Sequence, residues 1–131
     1  MQQSKQVVLE FLTAVQKGEN DKLGGYLHPA IEWDQPGSNE VSGKKKGIGE
    51  VFAMVGKMFE LSGNTLMLAD IKVLAENGDS IACLLNWKAG AGGKRLDVDN
   101  IDVYQVKEGQ IIAAKIYSAN LGLENEFWGG Q

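Results

Sequence analysis

Two aspartates have neighbours that would suit them to chemistry, Asp34 and Asp102. Asp102 shares its parity with Leu96, Val98, Asn100, Tyr104 and Val106, so a strand there points its carboxyl toward an apolar face. Burial disfavours the charged form of a carboxyl and raises its pKa. A neutral Asp102 would donate a hydrogen bond to a carbonyl oxygen on which negative charge develops. Asp34 ends a brief strand expected over Ile31-Glu32-Trp33-Asp34, just ahead of the turn Gln35-Pro36-Gly37-Ser38. There it is expected to stay ionised and to take a proton from the carbon beside a carbonyl. Two acids whose surroundings push their pKa values apart make an acid–base pair. Plainer roles exist for both. An aspartate before a Pro-Gly turn can bond its own backbone, and Asp102 can pair with Asn100 or a buried tyrosine and do nothing else.

The other reactive side chains are sparse. His28 is the only histidine, so a histidine-based metal site is not expected. It precedes Pro29, where a helix-end or surface role is the simpler reading. Lys44-Lys45-Lys46 is a basic run that either steers an anion or forms a solvated strand or loop. Met54 and Met58 stand four apart and serve equally as core or as an adaptable ligand wall. Trp87, Tyr104 and Trp128 could stack on a flat ligand or simply fill a core.

Several elements must position these groups. Val8, Phe11, Leu12 and Val15 recur at helical spacing after Ser4, and Gly18 ends that helix. A short second helix is expected from Asn20 until Pro29 stops the chain. A third helix from about Gly47 to Leu61 carries Val51, Phe52, Val55, Met58 and Phe59. Beyond Asn64 the period falls to two. Leu66 to Leu74 reads as a strand with a slip near Ala69-Asp70, and Asn77-Gly78-Asp79 as a hairpin turn. Strands over Ile81–Trp87, Leu96–Val106 and Ile112–Ser118 follow, and residues 119–131 read as an irregular tail. In this register Ile101, Val103, Ile111 and Tyr117 lie on the outer face, an apolar patch of the kind that marks an interface. Helices first and hairpins after is an α+β arrangement.

Composition narrows the function classes. The chain has 131 residues, as expected for one domain spanning residues 1–131. A formal net charge of −4 argues against nucleic acid as a partner. A single cysteine, Cys83, forbids an intrachain disulfide. No apolar run reaches the roughly 20 residues of a membrane span, and the first residues lack a secretory pattern, so a cytoplasmic location is expected. Glycine is abundant, with 17 residues, but no GxGxxG spacing follows a strand, so the glycines read as turns.

The order ααβαββββ, with Trp33-x-x-Pro36-Gly37 ahead of Gly43-(x)3-Gly47, resembles the nuclear-transport-factor-2-like superfamily. The run Asp99-Asn100-Ile101-Asp102-Val103-Tyr104 through Ile116-Tyr117 resembles its last hairpin, and the nearest likeness is to SnoaL-like and ketosteroid-isomerase-like members. The resemblance implies a cystatin-like cone, three N-terminal helices packed on a curved mixed or antiparallel sheet around an apolar pocket. It places Asp34 at the isomerase base position and Ile101-Asp102 at that of the protonated acid. The isomerases' tyrosine on the first helix is matched by Phe11, which has no hydroxyl. The expected function is cofactor- and metal-independent acid–base catalysis on a small hydrophobic carbonyl compound, as in isomerases, cyclases or related lyases. The pocket would be lined by Phe11, Tyr26, Trp33, Met54, Met58, Trp87, Asn100, Tyr104 and Ile116. The alternative is a non-catalytic module that binds a hydrophobic ligand. A homodimer through the sheet face is the assembly the resemblance implies.

Overall fold

The computed structural model describes residues 3–129. The chain opens with α1 (Ser4–Lys17) and α2 (Asn20–Tyr26), then β1 (Leu27–Gln35) and β2 (Gly43–Lys46). Helix α3 (Ile48–Leu61) leads into β3 (Met67–Asn77), β4 (Ser80–Ala91), β5 (Lys94–Lys107) and β6 (Gln110–Ser118). A fourth helix, α4 (Leu121–Trp128), ends the described chain. The strands form one six-stranded sheet in the order β2-β1-β6-β5-β4-β3. All neighbours are antiparallel except β1 and β6, so the sheet is mixed. This is an α+β fold.

The helices form where apolar spacing and caps agree. Val7, Val8, Phe11, Leu12 and Ala14 make the buried stripe of α1, and Gly18 closes it in the left-handed region at φ 71°. Helix α3 buries Val51 and Met54 against the core, with Val55 and Met58 packed beside them. The Glu50 carboxylate in its first turn accepts the Lys46 N–H at 2.8 Å, which ties the helix start to β2.

The strands carry the period-two pattern into burial. In β5 the residues Leu96, Val98, Asn100, Asp102, Tyr104 and Val106 are buried, and their neighbours face outward. The slip expected in β3 is present as a register shift between Leu68 and Asp70, with a second between Val73 and Ala75.

Three expectations need correction. First, β1 begins at Leu27, not Ile31, and takes in His28 and Pro29. Its pairing with β6 is irregular between Leu27 and Glu32, where Pro29 has no N–H to give a ladder. Second, Ile111 is fully buried and leaves the outer patch. Gln105 pairs Ala113 and Val106 pairs Ile111, so Ile112 is an extra residue that reverses the alternation. Third, residues 121–128 are helical. Asn120 caps α4 by accepting the Leu123 N–H at 3.1 Å, and Phe127 and Trp128 bury its inner side.

Helix α4 is fastened to the loop after β1. Asn125 Oδ1 accepts from the Ser38 N–H at 2.8 Å and from Asn39 Nδ2 at 2.9 Å. Gly37 makes this approach possible, because a Cβ there would stand 2.6 Å from Asn125 Oδ1.

Candidate functional site

Between the helices and the inner face of the sheet lies a cavity of about 380 Å³. Its walls are mainly apolar, with Phe11, Leu12 and Val15 from α1 and Val51, Met54 and Met58 from α3. Lys17, Asn20, Phe52 and Met67 line it and are exposed, so they mark its opening. The buried polar groups gather elsewhere in the lining: Gln35, Asn100, Asp102 and Glu124.

Asp102 is 2% exposed on the inward face of β5. Its Oδ2 accepts the Tyr104 hydroxyl at 2.6 Å, and its Oδ1 has no hydrogen-bond partner. The Tyr104 ring is wedged by the edges of Phe11 and Trp33, each with centroids at 6.1 Å, which fixes the hydroxyl on Asp102. Trp33 donates through Nε1 to Gln35 Oε1 at 2.9 Å.

Glu124 projects from α4 into the same cavity and is 4% exposed. With its amide oriented by its neighbours, Asn100 donates to Glu124 Oε2 at 3.1 Å and to the Asp99 carbonyl at 3.1 Å. The Trp128 indole N–H interacts with Glu124 without reaching full hydrogen-bond geometry.

Burial dominates the electrostatics. It pushes the Asp102 carboxyl up to about 7; the Tyr104 hydrogen bond opposes the rise and the charge of Glu124 adds to it. Burial also raises the Glu124 carboxyl, while contacts from Ser118 and Trp128 hold it down. The Tyr104 hydroxyl is raised well above its ordinary value, by burial and then by the neighbouring Asp102 charge. Cys83, opposite Asp102 on β4, is pushed up to about 11 by burial and by Asp102, which leaves it an unreactive thiol. Among the described residues no three His, Cys, Asp or Glu side chains are grouped to hold a metal ion. No described helix is long and apolar enough to cross a membrane.

Residues 8–114 match the SnoaL-like domain family. The chain belongs to that family. It is 30% identical to a protein of unknown function with a cystatin-like fold from Xanthomonas campestris, with a TM-score of 0.93 over 98% of this chain and 99% of that one. Bal32a, from a soil-derived mobile gene cassette, is 26% identical with a TM-score of 0.89, covering 95% of each chain. A putative SnoaL-like polyketide cyclase from Jannaschia sp. CCS1 shares the fold at 16% identity and a TM-score of 0.75, over 98% of this chain and 93% of that one. No curated protein matches the chain in sequence.

This SnoaL-like chain brings most of the expected pocket residues together. Phe11, Trp33, Met54, Met58, Trp87, Asn100, Asp102, Tyr104 and Ile116 all line the cavity. Tyr26 does not; it meets Phe11 edge-on with centroids at 6.5 Å and faces a shallow depression between α1 and α2. Asp34 does not either. Its neighbours Trp33 and Gln35 line the cavity, so strand alternation turns Asp34 to the outer face. There it sits in register between Lys44 of β2 and Lys115 of β6. His28 is engaged locally, its Nδ1 accepting the Ala30 N–H at 3.0 Å.

Two groups escape the sequence reading, Gln35 and Glu124. Alternation from Ile31 through Trp33 is the signal that would have placed Gln35 inward. Asn120, a helix-capping residue four positions before Glu124, is the signal for α4.

Proposed function

We propose that this SnoaL-like protein performs acid–base chemistry, without metal or cofactor, on a small hydrophobic carbonyl compound. Asp102 is the acid. Its unpaired, buried Oδ1 is the observation that carries the proposal. As a bare acceptor that oxygen costs about 1–3 kcal/mol, whereas as a protonated donor it needs only a ligand acceptor. A ketone or enone oxygen supplies one. The Tyr104 hydroxyl donates to Oδ2, which favours the ionised form but, once Asp102 is protonated, directs its proton to Oδ1. The strand tyrosine thereby restores, one step removed from the ligand, a hydroxyl that Phe11 cannot provide. The apolar walls would take the body of the ligand. An isomerisation, a cyclisation and a related elimination all share this enolisation step.

A direct test is exchange of the C1 protons of 2-tetralone for deuterium in D2O, followed by NMR. The wild-type protein is expected to accelerate exchange above the buffer rate, unaffected by chelator. Asp102→Asn should lower the protein-dependent rate about 100-fold, within the range of a lost general acid. Binding of 2-tetralone without exchange would instead identify a non-catalytic binding module.

A homodimer through the outer sheet face is part of the proposal. Leu84, Ile101 and Tyr117 stand in one cross-strand row, and Ile101 and Tyr117 are 41% and 49% exposed. A two-fold interface brings such a row against its own copy. Light scattering should show a dimer for the wild type. Ile101→Lys should raise its dissociation constant at least 100-fold, and a monomeric wild type would refute the assembly.

A further inference from the structure

With Asp34 on the outer face, the cavity acid has no base on β1 to work with. We infer that Glu124 of α4 is the proton-accepting residue of this cavity, and that it acts opposite Asp102 on an uncharged ketone. The inference rests on the acid–base reading above and deepens it. Glu124 lies beyond the residues that match the SnoaL-like family, which end at 114.

Three observations place it. Glu124 lines the cavity together with Asp102. Its Oε2 is held by Asn100, the inward neighbour of Asp102 two residues away on β5. Residues two apart on a strand are separated by about 7 Å, so both carboxyls are presented from adjoining inward positions. Helix α4 is also anchored on each side of Glu124. The Asn120 cap holds its first turn, and the Asn125 contacts and buried Trp128 hold the rest.

The donors around the two acids are unequal. Asn100 donates to Glu124, and Ser118 and Trp128 add favourable contacts, all of which stabilise a carboxylate. Asp102 receives one donor on one oxygen and none on the other. Environments that differ in this way assign base and acid. The buried polar lining of the cavity holds carboxyls and amides, with its one lysine, Lys17, at the opening. A neutral ligand head fits that end, and a carboxylate would meet like charge.

In the step, the α-carbon proton of the ketone passes to a Glu124 oxygen. The C–H electron pair becomes the carbon–carbon double bond of an enol, and the carbonyl oxygen takes the proton of Asp102. Once Glu124 has traded that proton for a solvent deuteron, delivery of the deuteron to the same carbon, with the enol proton returning to Asp102, gives exchange. Delivery to a conjugated carbon gives isomerisation. No oxidant, reductant or second substrate is consumed.

The experiment uses the full chain, 2-tetralone as substrate and 2-naphthol as a planar analogue of the enol. Glu124→Gln is expected to lower C1 exchange at least 100-fold, while 2-naphthol binding, read by tryptophan fluorescence, stays within threefold or tightens. Asp34→Asn should exchange at the wild-type rate. Wild-type exchange in a folded Glu124→Gln variant would overturn the role of Glu124 and leave the acid–base reading standing. A wild-type protein that does not exchange 2-tetralone would overturn both. Should Glu124→Gln fail to fold, Glu124→Asp keeps the charge and withdraws it by one methylene. That variant is expected to lose exchange at least tenfold, and an undiminished rate in it would overturn the assignment equally.

Discussion

The protein is expected to lose about 3 kcal/mol of stability between pH 5 and pH 8, with Asp102 as the main cause. Its carboxyl is raised from 3.8 to about 7, chiefly by burial. The folded state therefore holds the proton more tightly than the unfolded chain. That contribution is complete below the ordinary carboxyl pKa, declines as pH rises, and is gone above about 7. Glu124, raised by burial, acts in the same direction. Asp97 is lowered, mainly by its hydrogen bond from Asn86, and so acts only at more acidic pH and with the opposite sign. The melting temperature should fall on the order of 10 °C across this window. Asp102→Asn should remove most of the slope, because an amide does not titrate. A calorimetric series in which that variant keeps the wild-type slope would remove Asp102 as the titrating group.

The same burial explains which parts of the molecule could be read from sequence. In β5, alternation alone identified every inward residue from Leu96 to Val106, Asp102 among them, because one face is packed and the other is not. The order ααβαββββ is legible in the same pattern, and the structure adds to it the short strand β2 between β1 and α3 and the helix α4 at the end. Alternation was also available for β1. Ile31 and Trp33 face inward, so Asp34 belongs to the opposite face, yet its expected role rested on its place at a strand end ahead of Pro36-Gly37 and on family position, not on alternation. Ile111 illustrates a different limit. An extra residue at Ile112 flips the phase of β6, and nothing in Gln110-Ile111-Ile112-Ala113 marks which isoleucine is inserted. Helix α4 was the hardest element. Its buried stripe is Glu124, Phe127 and Trp128, an i, i+3, i+4 set whose first member is charged. A search for apolar spacing passes over it, and the residue missed was a carboxyl in the cavity wall.

A second large effect follows from treating Asp102 and Tyr104 as one buried unit. At pH 8 the double variant Asp102→Leu/Tyr104→Phe should be more stable than the wild type, by about 1–4 kcal/mol. Replacing both partners removes the buried carboxyl and leaves no hydroxyl behind. The single variants should behave differently. Asp102→Leu strands the Tyr104 hydroxyl, which is buried, at about 1–3 kcal/mol. Tyr104→Phe removes the one hydrogen bond that Asp102 accepts, and so should destabilise most where the carboxyl is ionised. Denaturant unfolding of the four proteins closes a double-mutant cycle and gives the coupling directly. A double variant less stable than wild type at pH 8 would mean that the pair contributes to the fold. A more stable one that no longer exchanges 2-tetralone would mean that the polar unit is kept for its chemistry, at a cost in stability that a purely structural core has no reason to carry.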